Sequence, residues 1–127
     1  MSKYVLDASA VLALLNQEIG KERVEAVLAD SCIGTVNYCE VLGKLIDAGM
    51  PEQDARESVE LLNIEVVSFD VDLARLAAVL RPTTKKLGLS LGDRSCLALA
   101  LARRNTAVTA ERVWPKLKIG VKIELIR

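Results

Sequence analysis

Along the chain, short β-branched apolar runs alternate with longer stretches in which apolar residues recur every three or four positions. Lys3 to Leu6 predicts a strand that ends at Asp7, and the helix formers from Ala8 to Leu15 predict a helix directly after it. Lys21 to Ala29 keeps a helical period with Val24, Val27 and Leu28 on one face, and Cys32 to Val36 is a second strand. Asn37 to Ala48 places Val41, Leu42, Leu45 and Ile46 at helical spacing, with Gly49 where a C-terminal cap belongs. Pro51 suits the first position of the next helix, which carries Ala55, Val59 and Leu62 on one side, so these two helices form a hairpin. Ile64 to Phe69 is a third strand, and Asp70 caps a helix from Val71 to Leu80. Pro82 to Gly88 reads as a polar loop. Ser90 opens a helix to about Arg104 whose middle, Cys96 to Ala102, is apolar all round and therefore central. Thr106 to Thr109, a short helix from Ala110 to Leu117 and an alternating strand from Val121 to Ile126 follow.

Strands separated by helices predict an α/β fold, a three-layer α/β/α sandwich on a mostly parallel sheet of about five strands. No repeat or linker divides residues 1–127, and that length suits one domain. In open parallel sheets ligands bind at the carboxyl ends of the strands, so chemistry belongs at the strand-to-helix junctions.

Composition narrows the function. The chain is 51% hydrophobic, which excludes a disordered polymer and leaves an apolar excess that suits a partner or dimer face. The longest apolar run, Cys96 to Ala102, is far short of the ~20 residues a bilayer needs, and Asp7 and Ser9 interrupt any secretory signal. A cytoplasmic protein without a membrane segment is expected. Cys32, Cys39 and Cys96 are odd in number and lack close spacing, so they are expected as small buried hydrophobes.

Seventeen basic residues balance seventeen acidic ones, which leaves no net field to attract a polyanion, so any nucleic-acid contact has to be local. The chain has no histidine. That removes imidazole-dependent nucleophiles, zinc-protease motifs and paired-histidine acid–base chemistry, and leaves carboxylates with a metal as the route to hydrolysis.

Four acids stand at junctions or helix starts: Asp7, Glu40, Asp93 and Glu111. Taken singly, each is better explained by capping. Asp7 precedes a helix, Glu40 and Asp93 lie three residues after Asn37 and Ser90, and Glu111 lies two after Thr109. Together at one end of one sheet they repel, an arrangement that persists where a cation neutralises it. Oxygen ligands of this kind suit Mg²⁺ or Mn²⁺, which stabilise phosphoryl displacement without an imidazole. Asp30, Asp47, Asp54, Glu57, Asp70 and Asp72 are expected to be solvated or capping.

Val5-Leu6-Asp7-Ala8-Ser9-Ala10, Asn37-x-x-Glu40-Val41-Leu42, Gly88-Leu89-Ser90-Leu91-Gly92-Asp93 and Thr109-Ala110-Glu111-Arg112-x-Trp114 follow in order along essentially the whole chain. This series resembles the PIN-domain ribonucleases, and in particular the VapC-type toxins of toxin–antitoxin pairs. The resemblance implies a Mg²⁺- or Mn²⁺-dependent endoribonuclease with Asp7, Glu40 and Asp93 as metal ligands and Glu111 as a fourth acid. It also implies that Ser9 and Asn37 orient those ligands or hold water beside them, with Thr109 in support, although helix capping explains the first two as well. The family often has Asp-Thr-Ser where this chain has Asp7-Ala8-Ser9, and usually Asp where it has Glu111, which puts direct ligation by the longer side chain in question. An RNA substrate, a homodimer and a cognate antitoxin follow from the resemblance alone.

Arg94, Arg112, Lys85 and Lys86, beside the acid motifs or in the polar loop, are the candidate RNA-phosphate contacts, with solvated surface charge as the plainer explanation. Trp114 is a candidate for base stacking or for core packing. Three alternatives remain: a receiver-like Mg²⁺-binding signalling domain, a PIN fold that binds without cleaving, and a phosphoesterase acting on DNA, since only contacts to the 2′-hydroxyl separate the two nucleic acids.

Overall fold

The computed structural model describes residues 2–127. Five strands, β1 (Tyr4–Leu6), β2 (Ser31–Gly34), β3 (Glu65–Val67), β4 (Thr106–Thr109) and β5 (Ile123–Leu125), form one sheet in the order β3-β2-β1-β4-β5 with every pairing parallel. The expected three-layer α/β/α architecture is the one observed. Strand order reverses between β1 and β4, which makes their carboxyl ends the switch point where such sheets open a crevice.

Strand alternation builds the two halves of the core. Leu6, Ile33 and Val108 point to one face and pack against α1 (Ala8–Leu15), α2 (Lys21–Val27), α3 (Thr35–Asp47) and α4 (Glu52–Glu60). Their neighbours Val5, Cys32 and Ala107 point to the other face. They meet α5 (Val71–Val79), α7 (Leu91–Arg103) and Trp114, with the one-turn α6 (Arg81–Thr84) between the two helices in sequence. Cys96 to Ala100 on α7 are all buried, as an all-round apolar helix requires. Among the described residues no helix is long and apolar enough to cross a membrane.

Several elements depart from their sequence expectation, each for a local reason. β2 ends at Gly34, and α3 begins at Thr35 despite the β-branched Thr35 and Val36. Asn37 is thereby the third residue of the helix rather than its cap. The expected loop from Pro82 to Gly88 is helical: Pro82 sits in a first turn, the Thr84 hydroxyl donates to the Leu80 carbonyl at 2.7 Å, and a 3-10 turn over Lys85–Leu87 closes at Gly88 with φ 71°. The expected helix from Ala110 to Leu117 shrinks to a 3-10 turn at Trp114–Lys116. Pro115, in the interior of that span, has no amide proton to donate to a helical carbonyl, so an α-helix cannot run through it. Lys21 to Ala29 is α2 followed by a 3-10 turn, Leu28–Asp30, and Pro51 is the cap of α4 rather than its first residue.

Cys32 and Cys96 are buried as expected, whereas Cys39 is exposed on α3. Trp114 is fully buried, so it packs the core and is unavailable to a base. Because α7 is the central helix of its layer, Leu97→Ala is expected to cost about 2–5 kcal/mol by urea unfolding. A cost below about 1 kcal/mol shows that Leu97 is not at the centre of this layer.

Candidate active site

Asp7 follows β1 immediately, at the switch point of the sheet, and is 3% exposed. It occupies the cap position of α1 but makes no capping bond. Its Oδ2 instead accepts the hydroxyls of Ser9 at 2.6 Å and Thr109 at 2.9 Å, while Asn37 Nδ2 lies 3.5 Å from Oδ1. Both hydroxyls are themselves fixed: the amide of Ala110 donates to Ser9 Oγ and that of Glu111 to Thr109 Oγ1, each at 3.0 Å. Each hydroxyl therefore takes a backbone proton on its lone pair and directs its own proton at Asp7. Ser9, Thr109 and the loop after β4 thus form one network around a single carboxylate oxygen.

Asn37 is fully buried and joins three elements. From the first turn of α3 its Nδ2 donates to Glu40 Oε1 and to the Gly92 carbonyl, both at 3.0 Å, besides its longer contact to Asp7. The capping explanation for Asn37 and Glu40 therefore fails; Gly34 is the cap residue of α3 and has no side chain to offer. Asn37 Oδ1 is buried without a partner, which leaves the amide's role entirely on its donor side. Gly92 matters for a steric reason: a Cβ built there overlaps the Glu40 carboxylate, so glycine at the start of α7 makes the room Glu40 occupies.

For Asp93 the capping explanation holds, and the same side chain also faces the hollow shared with the other three acids. The Ser90 amide donates to Asp93 Oδ2 at 2.8 Å and the Asp93 amide to Ser90 Oγ at 3.1 Å, a reciprocal capping box. Oδ1 takes no hydrogen bond from the described residues. Asp7, Glu40, Asp93 and Glu111, with Ser9, line one hollow of about 150 Å³. Lys44 lines it too, a residue that sequence reasoning passed over although it lies one turn after Glu40 on the same face of α3.

The electrostatics follow from this crowding. Burial pushes the Asp7 carboxyl up to about 6, against the Ser9 and Thr109 hydroxyls that favour its charge, and the charges of Asp93 and Glu40 push it further. Burial also raises Glu40, opposed by the Asn37 hydrogen bond, with Asp93 raising it and Lys44 lowering it. Among the described residues no three acidic or cysteine side chains are drawn together tightly enough to cage an ion directly. The donor set nonetheless fits a hard divalent cation: four carboxylates face one hollow with Lys44 as the basic residue lining it. Mg²⁺ keeps several of its waters and needs only one or two carboxylates.

The four candidate phosphate contacts separate. Arg94 turns into the protein, where Nη1 donates to the Ala77 carbonyl of α5 at 3.0 Å and Nε is buried without a partner, so the structure places it in helix packing. Arg112, Lys85 and Lys86 are exposed.

The family model for the PIN domain matches residues 4–119. No curated protein matches the sequence. Solved structures with a similar fold include DNA-bound VapBC from Salmonella typhimurium, at 20% identity, TM-score 0.80 and full coverage of both chains. VapBC2 from Rickettsia felis, bound to a DNA fragment from its promoter, is 14% identical with a TM-score of 0.75 over 96% of this chain and 97% of that one. VapBC-1 from nontypeable Haemophilus influenzae is 18% identical with a TM-score of 0.73 over 96% of each chain.

Two outcomes are expected from this geometry. The folded protein holds the Asp7 proton more tightly than the unfolded chain, so in EDTA stability is full near pH 4 and declines as pH rises towards about 6. Asp7→Asn removes the Asp7 share of that decline, leaving the share due to Glu40, and is more stable than wild type at pH 7 by on the order of 3 kcal/mol, read from urea melts at several pH values. Parallel pH profiles for the two proteins contradict it. Gly92→Ala, in turn, keeps the fold but displaces Glu40 from Asn37, which a crystal structure or the Asn37 side-chain amide resonance reports.

Proposed function

We propose that this chain, which belongs to the PIN domain family, is a Mg²⁺- or Mn²⁺-dependent endoribonuclease and the toxin of a VapBC-type toxin–antitoxin pair. The observation that carries the nuclease activity is the convergence of Asp7, Glu40, Asp93 and Glu111 on one hollow at the switch point of the sheet. Without a histidine anywhere in the chain, those carboxylates are the groups available to organise phosphodiester hydrolysis.

A divalent cation bound there lowers the pKa of an attacking water and offsets the charge that develops on the phosphate. The chain's own residues prepare the place. Ser9 and Thr109 fix the orientation of Asp7, Asn37 holds Glu40 towards Asp7 and α7, and Ser90 locks one oxygen of Asp93 while the other stays available. Glu111 is exposed at the rim and completes the acidic set from the far side of β4. Each supporting group donates to a charged oxygen, so the carboxylates are held for coordination before any ligand arrives.

The toxin assignment rests on the full-length similarity of fold to the VapBC proteins. It brings a cognate antitoxin as partner and the cytoplasm as the place of action. A homodimer is supported by the exposed Val71 and Val79 of α5 and by Leu91 at the start of α7, at 64%, 71% and 52% exposure. The receiver-like alternative loses its basis, because β3 is an edge strand and the Asp70 side chain is used to cap α5. A PIN fold that only binds has no need of four carboxylates held against their repulsion.

The purified protein is expected to cut total cellular RNA into discrete fragments with Mg²⁺ or Mn²⁺ and not with EDTA, and Asp7→Asn is expected to cut none. Full cleavage by Asp7→Asn overturns the assignment of Asp7. Glu111→Gln, changing an exposed rim carboxylate, is expected to lower kcat/KM by about 10-fold rather than to background. A loss equal to that of Asp7→Asn makes Glu111 a direct ligand.

A further inference from the structure

The acidic hollow repels the phosphates of the polymer it is proposed to cut, and a chain of zero net charge offers no general attraction to offset that. The compensating charge is concentrated in two segments. Residues 81–89 contain Arg81, Lys85 and Lys86, residues 112–119 contain Arg112, Lys116 and Lys118, and neither segment contains an acid. They are far apart in sequence, yet the fold lays them side by side around a hollow of about 350 Å³. Its lining includes Lys86, Lys116 and Lys118 together with the apolar surfaces of Pro82, Leu87 and Leu117.

Among the described residues none of the six basic side chains of the two segments makes an ion pair. Lys3, Lys44, Arg94, Arg104 and Lys122 elsewhere among them make none either, so what distinguishes this flank is that three such ammonium groups line one hollow. Along the chain, one segment runs on into Ser90 and Asp93 and the other follows directly after Glu111, so each wall of this hollow continues into a segment that carries one of the four acids.

We propose that this hollow is an accessory groove for single-stranded RNA, which carries the strand away from the scissile phosphate. Lys86, Lys116 and Lys118 meet successive phosphates, and Pro82, Leu87 and Leu117 offer a face for a base. Unpaired ammonium groups beside an apolar surface match a nucleotide strand, with its phosphates and its apolar base faces, better than a purely acidic peptide, and the basic track is the part that non-specific strand binding requires. The groove rests on the endoribonuclease assignment and extends it: it names Lys116 and Lys118 as strand-binding residues and separates Lys86 from Arg94, which is committed to packing.

The test is salt-dependent binding of a labelled single-stranded RNA of about 12 nucleotides to the Asp7→Asn protein, which keeps the strand intact. Each lost phosphate contact on a single strand lowers the slope of log affinity against log salt by about 0.7, so Lys86→Gln, Lys116→Gln and Lys118→Gln together reduce it by about 2. Between 50 and 200 mM salt the parent is then expected to lose about 20-fold more affinity than the triple variant. A charge-matched control, Arg23→Gln, Arg56→Gln and Arg75→Gln, is expected to leave the slope unchanged. An unchanged slope in the lysine variant overturns the groove while metal-dependent cleavage by the wild type still stands. No RNA binding by the parent overturns the groove and the RNA assignment together. A polyglutamate peptide that depends on the same lysines, when RNA does not, assigns the hollow to an acidic protein segment instead.

Discussion

A carboxylate buried at the carboxyl end of the central strand is the constraint around which the rest of this molecule is arranged. Asp7 follows Val5 and Leu6, whose side chains anchor opposite faces of the sheet, so its own side chain emerges where the two helical layers close over β1. Charge at such a place is unfavourable, and burial raises its pKa accordingly. Two hydroxyls, each polarised by a backbone amide, supply partial compensation. The remainder is made worse rather than better by Glu40 and Asp93, which are brought to the same hollow. Holding like charges together in this way costs the fold stability, a cost that a bound cation would offset.

The fold's order of elements was legible because each helix and strand carries its own period, and because the alternation of strand and helix admits few topologies. What periodicity could not show was where tertiary partners overrule local preference. Thr35 and Val36 look like the end of a strand, yet α3 must start at Thr35 for Asn37 to lie one turn ahead of Glu40 and reach Gly92.

The site was legible in a similar measure. The four acids were visible at their junctions, but single positions could not separate capping from coordination. The structure settles the capping half residue by residue: the side chains of Asp7 and Glu40 make no cap, while Asp93 caps α7 and also lines the hollow. The steric need for Gly92 could not be read from the sequence, because a missing Cβ matters only once α3 and α7 are packed together, whereas Lys44 was readable from its place one turn after Glu40. Arg94 misled because one step along a helix turns a side chain by about 100°, which takes it away from Asp93 and towards α5.

The central claim is that the acidic hollow is a divalent-cation site in which Asp7 shares the load. The most direct measurement is calorimetric titration of Mn²⁺ into the wild-type protein in buffers of different protonation enthalpy, across pH 5.5 to 8. With Asp7 near 6, binding near pH 6 is expected to release about half a proton, and the release is expected to vanish by about pH 8 and in Asp7→Asn. Absence of Mn²⁺ binding, or a proton release that is the same with and without the Asp7 carboxylate, contradicts the account.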